Sequence, residues 1–148
     1  MKAKMIDRGK LYTIGYATLE GVEQLQGLFA QQVLIVDIRY YPASRWRPEW
    51  SRKRLIERFS TNYCHLRELG NINYRSSTLP IKLGDAAAGI SWLANFLQAG
   101  RDVCLLCACA DWKKCHRRVV AELLQNEIVG LRPIHISADD VPSFVGSC

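Results

Sequence analysis

"DVCLLCACADWKKCHRRVVAELL", residues 102–124, decides how the chain is read. As far as Cys109 it is a nearly unbroken apolar run, the pattern of a strand buried on both faces of a parallel sheet. From His116 onward, over "HRRVVAELLQNEI" (116–128), apolar residues recur at helical spacing. A short polar loop joins the two, so the segment reads as strand, tight loop and helix. A parallel strand needs crossover connections, and these must be sought on either side.

Upstream, "KLYTIGY" (10–16) reads as a strand and "LEGVEQLQGLFAQQ" (19–32) as a helix with Val22, Leu25, Leu28 and Phe29 on one face. Thr18 is the expected N-cap, with Glu20 in the first turn where the helix dipole favours a carboxylate. "VLIVDIR" (33–39) is a second buried strand. Ser51 caps a helix "RKRLIERFSTN" (52–62), and "YCHL" (63–66) follows as a short strand. Residues 67–87 are rich in turn formers and read as a functional or partly mobile loop, since structureless stretches of this length are otherwise uncommon. "AGISWLANFLQAG" (88–100) is a helix closed by Gly100. "LRPIHI" (131–136) is a last strand, and the tail 137–148 reads as weakly ordered.

Five strands alternating with four helices predict one α/β domain over residues 1–148. The expected form is a three-layer α/β/α sandwich around a mostly parallel sheet, Rossmann-like or flavodoxin-like. Such folds bind ligands outside the carboxyl ends of the strands. That rule gathers Thr13 and Tyr16 from strand one, Asp37 and Arg39 from strand two, His65 from strand three, and the segment from Cys107 to Arg117 after strand four.

The chain carries 20 Lys+Arg against 14 Asp+Glu, a net charge of +6, which favours an anionic partner, a nucleotide or nucleic acid. No apolar stretch reaches membrane-spanning length, and the N-terminus lacks a signal core, so no membrane partner and a cytoplasmic location are expected. There the six cysteines should be reduced thiols rather than a disulfide framework. No feature of the sequence requires a cofactor.

Three chemistries compete for the loop after strand four. Zinc could take Cys107, Cys109, Cys115 and His116 as ligands. The usual paired C-x2-C knuckle is absent, however: only Cys104 and Cys107 have that spacing, and a regular strand turns them to opposite faces. A phosphatase-type loop needs Cys, five residues and Arg, and the register fails, because the residue six before Arg117 is Asp111. A rhodanese-like sulfur-transfer loop shares the strand, Cys loop and helix layout. The third chemistry is an anion pocket at a helix N-terminus, where free amides and the dipole attract negative charge, lower the Cys115 pKa, and are joined by the Arg117 fork. Asp37 and Arg39 form either a substrate clamp or a structural ion pair. Cys104 reads as core, His135 as structural, and His65 as either structural or a general base. Segment 45–58, with Arg45, Arg47, Arg52, Lys53, Arg54 and Arg58 beside Trp46 and Trp50, suits stacking on bases with phosphate contacts, or else a solvated helix start.

"TIGYATLEGVEQL", "VDIRYYPASR", "YCHLRELG" and "CACADWKKCHRRVVA", in this order, resemble the domain of unknown function 488 family over roughly residues 11–136. The resemblance implies a compact three-layer α/β domain and no established reaction. It maps the family's polar positions onto Thr13, Gly15, Tyr16, Asp37, Arg39, Pro42, Ser44, Arg45, His65, Leu69, Gly70, Cys107, Cys115, His116 and Arg117. Two positions depart from the pattern. Cys109 stands where the family typically has glutamate, so any acid–base role of that glutamate is either lost here or taken over by a thiolate, and Asn71 stands where a second glycine follows Gly70.

These readings converge on an α/β domain with an anion-binding pocket at the carboxyl ends of its strands, and the first hypothesis is an enzyme acting there on a nucleotide or nucleic acid. Asp37, His65 and Cys115 are its candidate catalytic groups, and Arg39, Arg45, His116 and Arg117 its anion ligands. Thr13, Tyr16, Ser44, Cys107 and Cys109 complete the pocket. The alternatives are a non-catalytic module binding nucleic acid or another anion, and a zinc-stabilised domain.

Overall fold

The computed structural model describes residues 7–28 and 32–141. Five strands, β1 (Leu11–Gly15), β2 (Leu34–Asp37), β3 (Tyr63–His65), β4 (Val103–Cys107) and β5 (Ile134–His135), form one sheet in the order β3-β2-β4-β1-β5. All four strand pairings are parallel. The helices are α1 (Val22–Leu28), α2 (Arg52–Phe59), α3 (Ala86–Gln98) and α4 (His116–Glu127). None of the helices is long and apolar enough to cross a membrane among the described residues.

Burial follows the pleat. Central β4 is buried at all five positions, with β1 and β2 paired on either side of it. Val103, Leu105 and Cys107 join α3 and α4 in one core cluster. Cys104 and Leu106 join α1 and α2 in the other. Cys104 and Cys107 thus face opposite ways, as the two-residue period requires.

Several boundaries differ from expectation. Helix α1 starts at Val22, not at residue 19, because Thr18 does not cap it: the Thr18 hydroxyl donates back to the Gly15 carbonyl at 2.8 Å and closes a 3-10 turn over Tyr16–Thr18. Glu23, rather than Glu20, therefore stands in the first turn. Phe29 lies outside the described residues. The Ser51 backbone occupies the N-cap of α2 but its side chain makes no capping bond, and the helix stops at Phe59, before Ser60 at φ 52°. Helix α3 begins at Ala86 because Asp85 accepts the Ala88 amide; Gly100, at φ 92°, ends it as expected. The last strand keeps only Ile134–His135. Of the tail, residues 137–141 hold a short 3-10 turn with a Ser137–Asp140 capping box, and 142–148 lie outside the described residues.

The long loop after β3 is organised by Asn71. Its side-chain oxygen accepts the amides of Asn73 and Lys82, both at 3.0 Å, and its backbone bridges to Leu83. Gly70 lets this loop lie against the segment after β2, since a Cβ there would meet the Tyr40 Cα at 2.4 Å.

Candidate functional site

Between the carboxyl ends of β2 and β4 the chain diverges: β2 leads outward to β3, and β4 leads the other way, past β1, to β5. This is the switch point of a doubly wound sheet, where a crevice must open. A cavity of about 220 Å³ lies there, lined by Tyr16 after β1, Arg39, Tyr40, Tyr41 and Ala43 after β2, and Asn71, Tyr74 and Ile81 from the long loop. Ala108, Cys109, Lys114, Cys115 and His116, which follow β4, complete the lining. A larger cavity of about 680 Å³ sits among surface charges of α1 and α2 that pair with each other, Arg58 with Glu23, and holds none of the cysteines.

Arg39 is held rigidly. Asp37, fully buried, accepts its Nε at 2.8 Å and its Nη2 at 2.6 Å, and Nη2 also donates to the Trp50 carbonyl. Asp37 additionally accepts the Tyr63 hydroxyl at 2.5 Å and the Arg39 amide at 3.2 Å. Burial alone would lower the Arg39 pKa, but its bond to Asp37 and the charge there outweigh it and raise the value. Burial and then the Asp37 charge push the Tyr63 hydroxyl upward, so it remains a donor. One group is left over: Arg39 Nη1 is buried without a partner. A buried guanidinium N–H without an acceptor is costly, and a bound anion would satisfy it.

The sulfur side is as closely built. Cys107, Cys109 and Cys115 place their sulfurs within 4.8 Å of one another, with Cys107 and Cys115 at 3.0 Å. Cys109 is exposed and the other two are buried. Hydrogen bonds from Cys107 and Cys115 pull the Cys109 pKa down strongly against its partial burial, helped by His116 and Arg117. Burial raises Cys107 well above the usual thiol value, as do its bonds to Cys109 and Cys115. Cys115 is pushed up to about 11: its contact with Cys107 pulls down, but its bond to Cys109 and its burial prevail. Of the three thiols the exposed one is thus the one acidified, and the two buried ones are pushed the other way. His116 Nε2 lies 2.7 Å from the Ile38 carbonyl, which can only accept, so Nε2 carries the proton and Nδ1, 3.6 Å from the Cys115 sulfur, offers a lone pair. Burial lowers the His116 pKa and keeps the ring neutral.

Of the residues singled out from the sequence, Tyr16, Arg39, Cys109, Cys115 and His116 meet at the cavity. The others stand behind it. Asp37 fixes Arg39, and His65 Nε2 donates to the Arg39 carbonyl at 2.6 Å. Ser44 accepts the Arg47 amide, and Arg45 lies over the exposed Trp46 ring at 5.8 Å. Arg117 is fully buried; its Nη1 donates to Thr13 Oγ1 and its Nη2 to the Cys109 and Ala110 carbonyls, while its Nε has no partner. Cys107 backs the sulfur cluster without lining the cavity.

The sequence reading missed the aromatic wall. Tyr40 and Tyr74 rings pack 6.0 Å apart, Arg67 sits over Tyr40 at 4.2 Å, and Tyr16 stacks on Trp50 at 5.0 Å. The paired tyrosines directly after the Asp37–Arg39 strand end were the available signal; Tyr74 and Ile81 depend on how the long loop folds back. Lys114, exposed at the cavity mouth, was legible only as part of a basic run.

A family model described as "Domain of unknown function DUF488" matches residues 23–124. No curated protein and no solved structure matches the chain.

Proposed function

The chain belongs to the domain of unknown function DUF488 family, and we propose that it binds an anionic substrate, a nucleotide or a nucleotide end of a nucleic acid, in the switch-point cavity. In this reading it acts there as an enzyme through the sulfur cluster. The observation that carries the reading is the unpartnered, buried Nη1 of Arg39, a residue of the cavity lining. Lys114 adds a cation at the mouth, and the first turn of α4, capped by no side chain, adds backbone amides without intrahelical partners. Tyr40, Tyr41 and Tyr74 suit the face of a base. Cys109 meets the ligand as the one exposed, acidified thiol among the described residues, and exposure with a lowered pKa is what makes a thiol reactive.

Calorimetric titration with a nucleoside monophosphate tests this. Saturable one-to-one binding is expected, weakened about tenfold or more by Lys114→Glu, which reverses a charge on an exposed side chain without disturbing the core. Absence of saturable binding, or an unchanged affinity in the variant, would rule the reading out.

A non-catalytic nucleic-acid-binding module is favoured by a different observation, Trp46, 86% exposed beside Arg45. In that case binding of a single strand depends on Trp46 rather than Lys114 and falls steeply with salt as counterions are released.

A further inference from the structure

We propose that Cys107, Cys109 and Cys115 form a binding site for a thiophilic divalent cation, zinc foremost, which His116 Nδ1, beside the Cys115 sulfur but outside the group of three sulfurs, joins as fourth donor by a shift of its ring. The site is assembled by local geometry. Cys107 is the last residue of β4, Cys109 follows two positions later, and the chain then loops back so that Cys115 stands at the N-cap position of α4. The three sulfurs already lie within 4.8 Å of one another. Ligands on a tetrahedral zinc, with Zn–S of about 2.3 Å and Zn–N of about 2.0 Å, stand about 3.8 Å apart for sulfur pairs and about 3.5 Å for sulfur and nitrogen. His116 Nδ1 stands 3.6 Å from the Cys115 sulfur, and the Cys107 and Cys115 sulfurs, at 3.0 Å, need to part only slightly.

The outer shell fits as well. A metal-binding imidazole ordinarily gives its other N–H to a carbonyl or carboxylate, which fixes the ring and leaves the correct nitrogen free. The Ile38 carbonyl does this for His116. Cys107 and Cys115 belong to the core cluster of α3 and α4, so two ligands are set in rigid, apolar surroundings, and the exposed Cys109 leaves an entry path. Cys104, on the opposite face of β4, is excluded. The ligand order is thus C-x-C-x5-C-H, which has no paired knuckle and is recognisable only once β4 and α4 are placed.

Cobalt(II) titration of the chelator-treated, reduced protein tests the site, because cobalt reports thiolate ligands by a near-ultraviolet charge-transfer band and tetrahedral geometry by its visible bands. One equivalent should bind with both signatures and be displaced by zinc. Loss of an outer-shell partner typically costs about 10–100-fold in metal affinity, so Cys109→Ser, which removes a ligand itself, should cost at least as much. Cys109 is exposed, so this variant should fold, and Cys64→Ser, outside the cluster, should bind as the native protein does. His116→Ala should keep the charge-transfer band and alter the visible bands. Failure of the native protein to take up cobalt saturably, or uptake unaffected by Cys109→Ser, would overturn the proposal. The inference rests on the sulfur geometry and not on the anion reading: Lys114→Glu should lose nucleotide affinity with its cobalt uptake intact, so the two can fail separately.

Discussion

Asp37→Ala should destabilise the fold by about 3–5 kcal/mol, because it leaves the Arg39 guanidinium buried without its counter-charge. Asp37 is 0% and Arg39 6% exposed, so solvent cannot take over the role of the carboxylate. The variant also strands the Tyr63 hydroxyl and the Arg39 amide, both of which donate to Asp37. The loss should appear as a lowered midpoint in urea unfolding with little change in slope. Near-native stability with lost activity would instead make Asp37 a catalytic group and not the residue that positions Arg39.

Arg117→Met, which keeps much of the side-chain volume, should cost about 2–4 kcal/mol, since bonds from a buried charged donor are worth more than neutral ones and their acceptors are left bare. Arg117 ties three parts of the molecule together: Thr13 on β1 at 2.9 Å, and the Cys109 and Ala110 carbonyls of the loop at 3.3 and 3.0 Å. The Thr13 hydroxyl that accepts from Arg117 also shares a hydrogen bond with His135 Nδ1, 2.6 Å away, and so reaches β5. His135 in turn stacks on Trp112 at 3.9 Å. Gly15 completes the joint, since a Cβ there would meet the Cys109 carbonyl at 1.6 Å. An Arg117→Met protein as stable as the native one in urea would show that this joint does not hold the loop.

The parallel sheet was legible because β4 is apolar throughout and β2 is apolar up to its last residue, Asp37, a pattern that only a strand covered on both faces tolerates. The opposite facing of Cys104 and Cys107 followed from the pleat alone. Element starts were harder to read: Thr18 and Ser51 are both residues that cap helices, yet one hydroxyl bonds backward and the other makes no cap, a choice set by neighbouring backbone. At the site, the strand-end rule located the cavity but could not tell which arginine would face it. Arg39 and Arg117 look equivalent in sequence. Each keeps one buried nitrogen without a partner, and what separates them is place: Thr13 and two loop carbonyls draw Arg117 behind the loop, whereas Asp37 and Trp50 hold Arg39 in the cavity lining. Lys114 and the tyrosines came to the cavity through loop packing, which carries no periodic signal.

The central claim, that anion and reactive sulfur share one cavity, is tested most directly by iodoacetamide alkylation of Cys109 in chelator-treated protein, followed by peptide mass spectrometry. At about pH 6, where an ordinary thiol with a pKa near 8.5 is almost wholly protonated, Cys109 should be modified ahead of Cys64, Cys104, Cys107 and Cys115, and a nucleoside monophosphate should protect it. Modification of Cys109 no faster than the other cysteines, or at a rate the nucleotide leaves unchanged, would separate the sulfur from the anion and refute the claim.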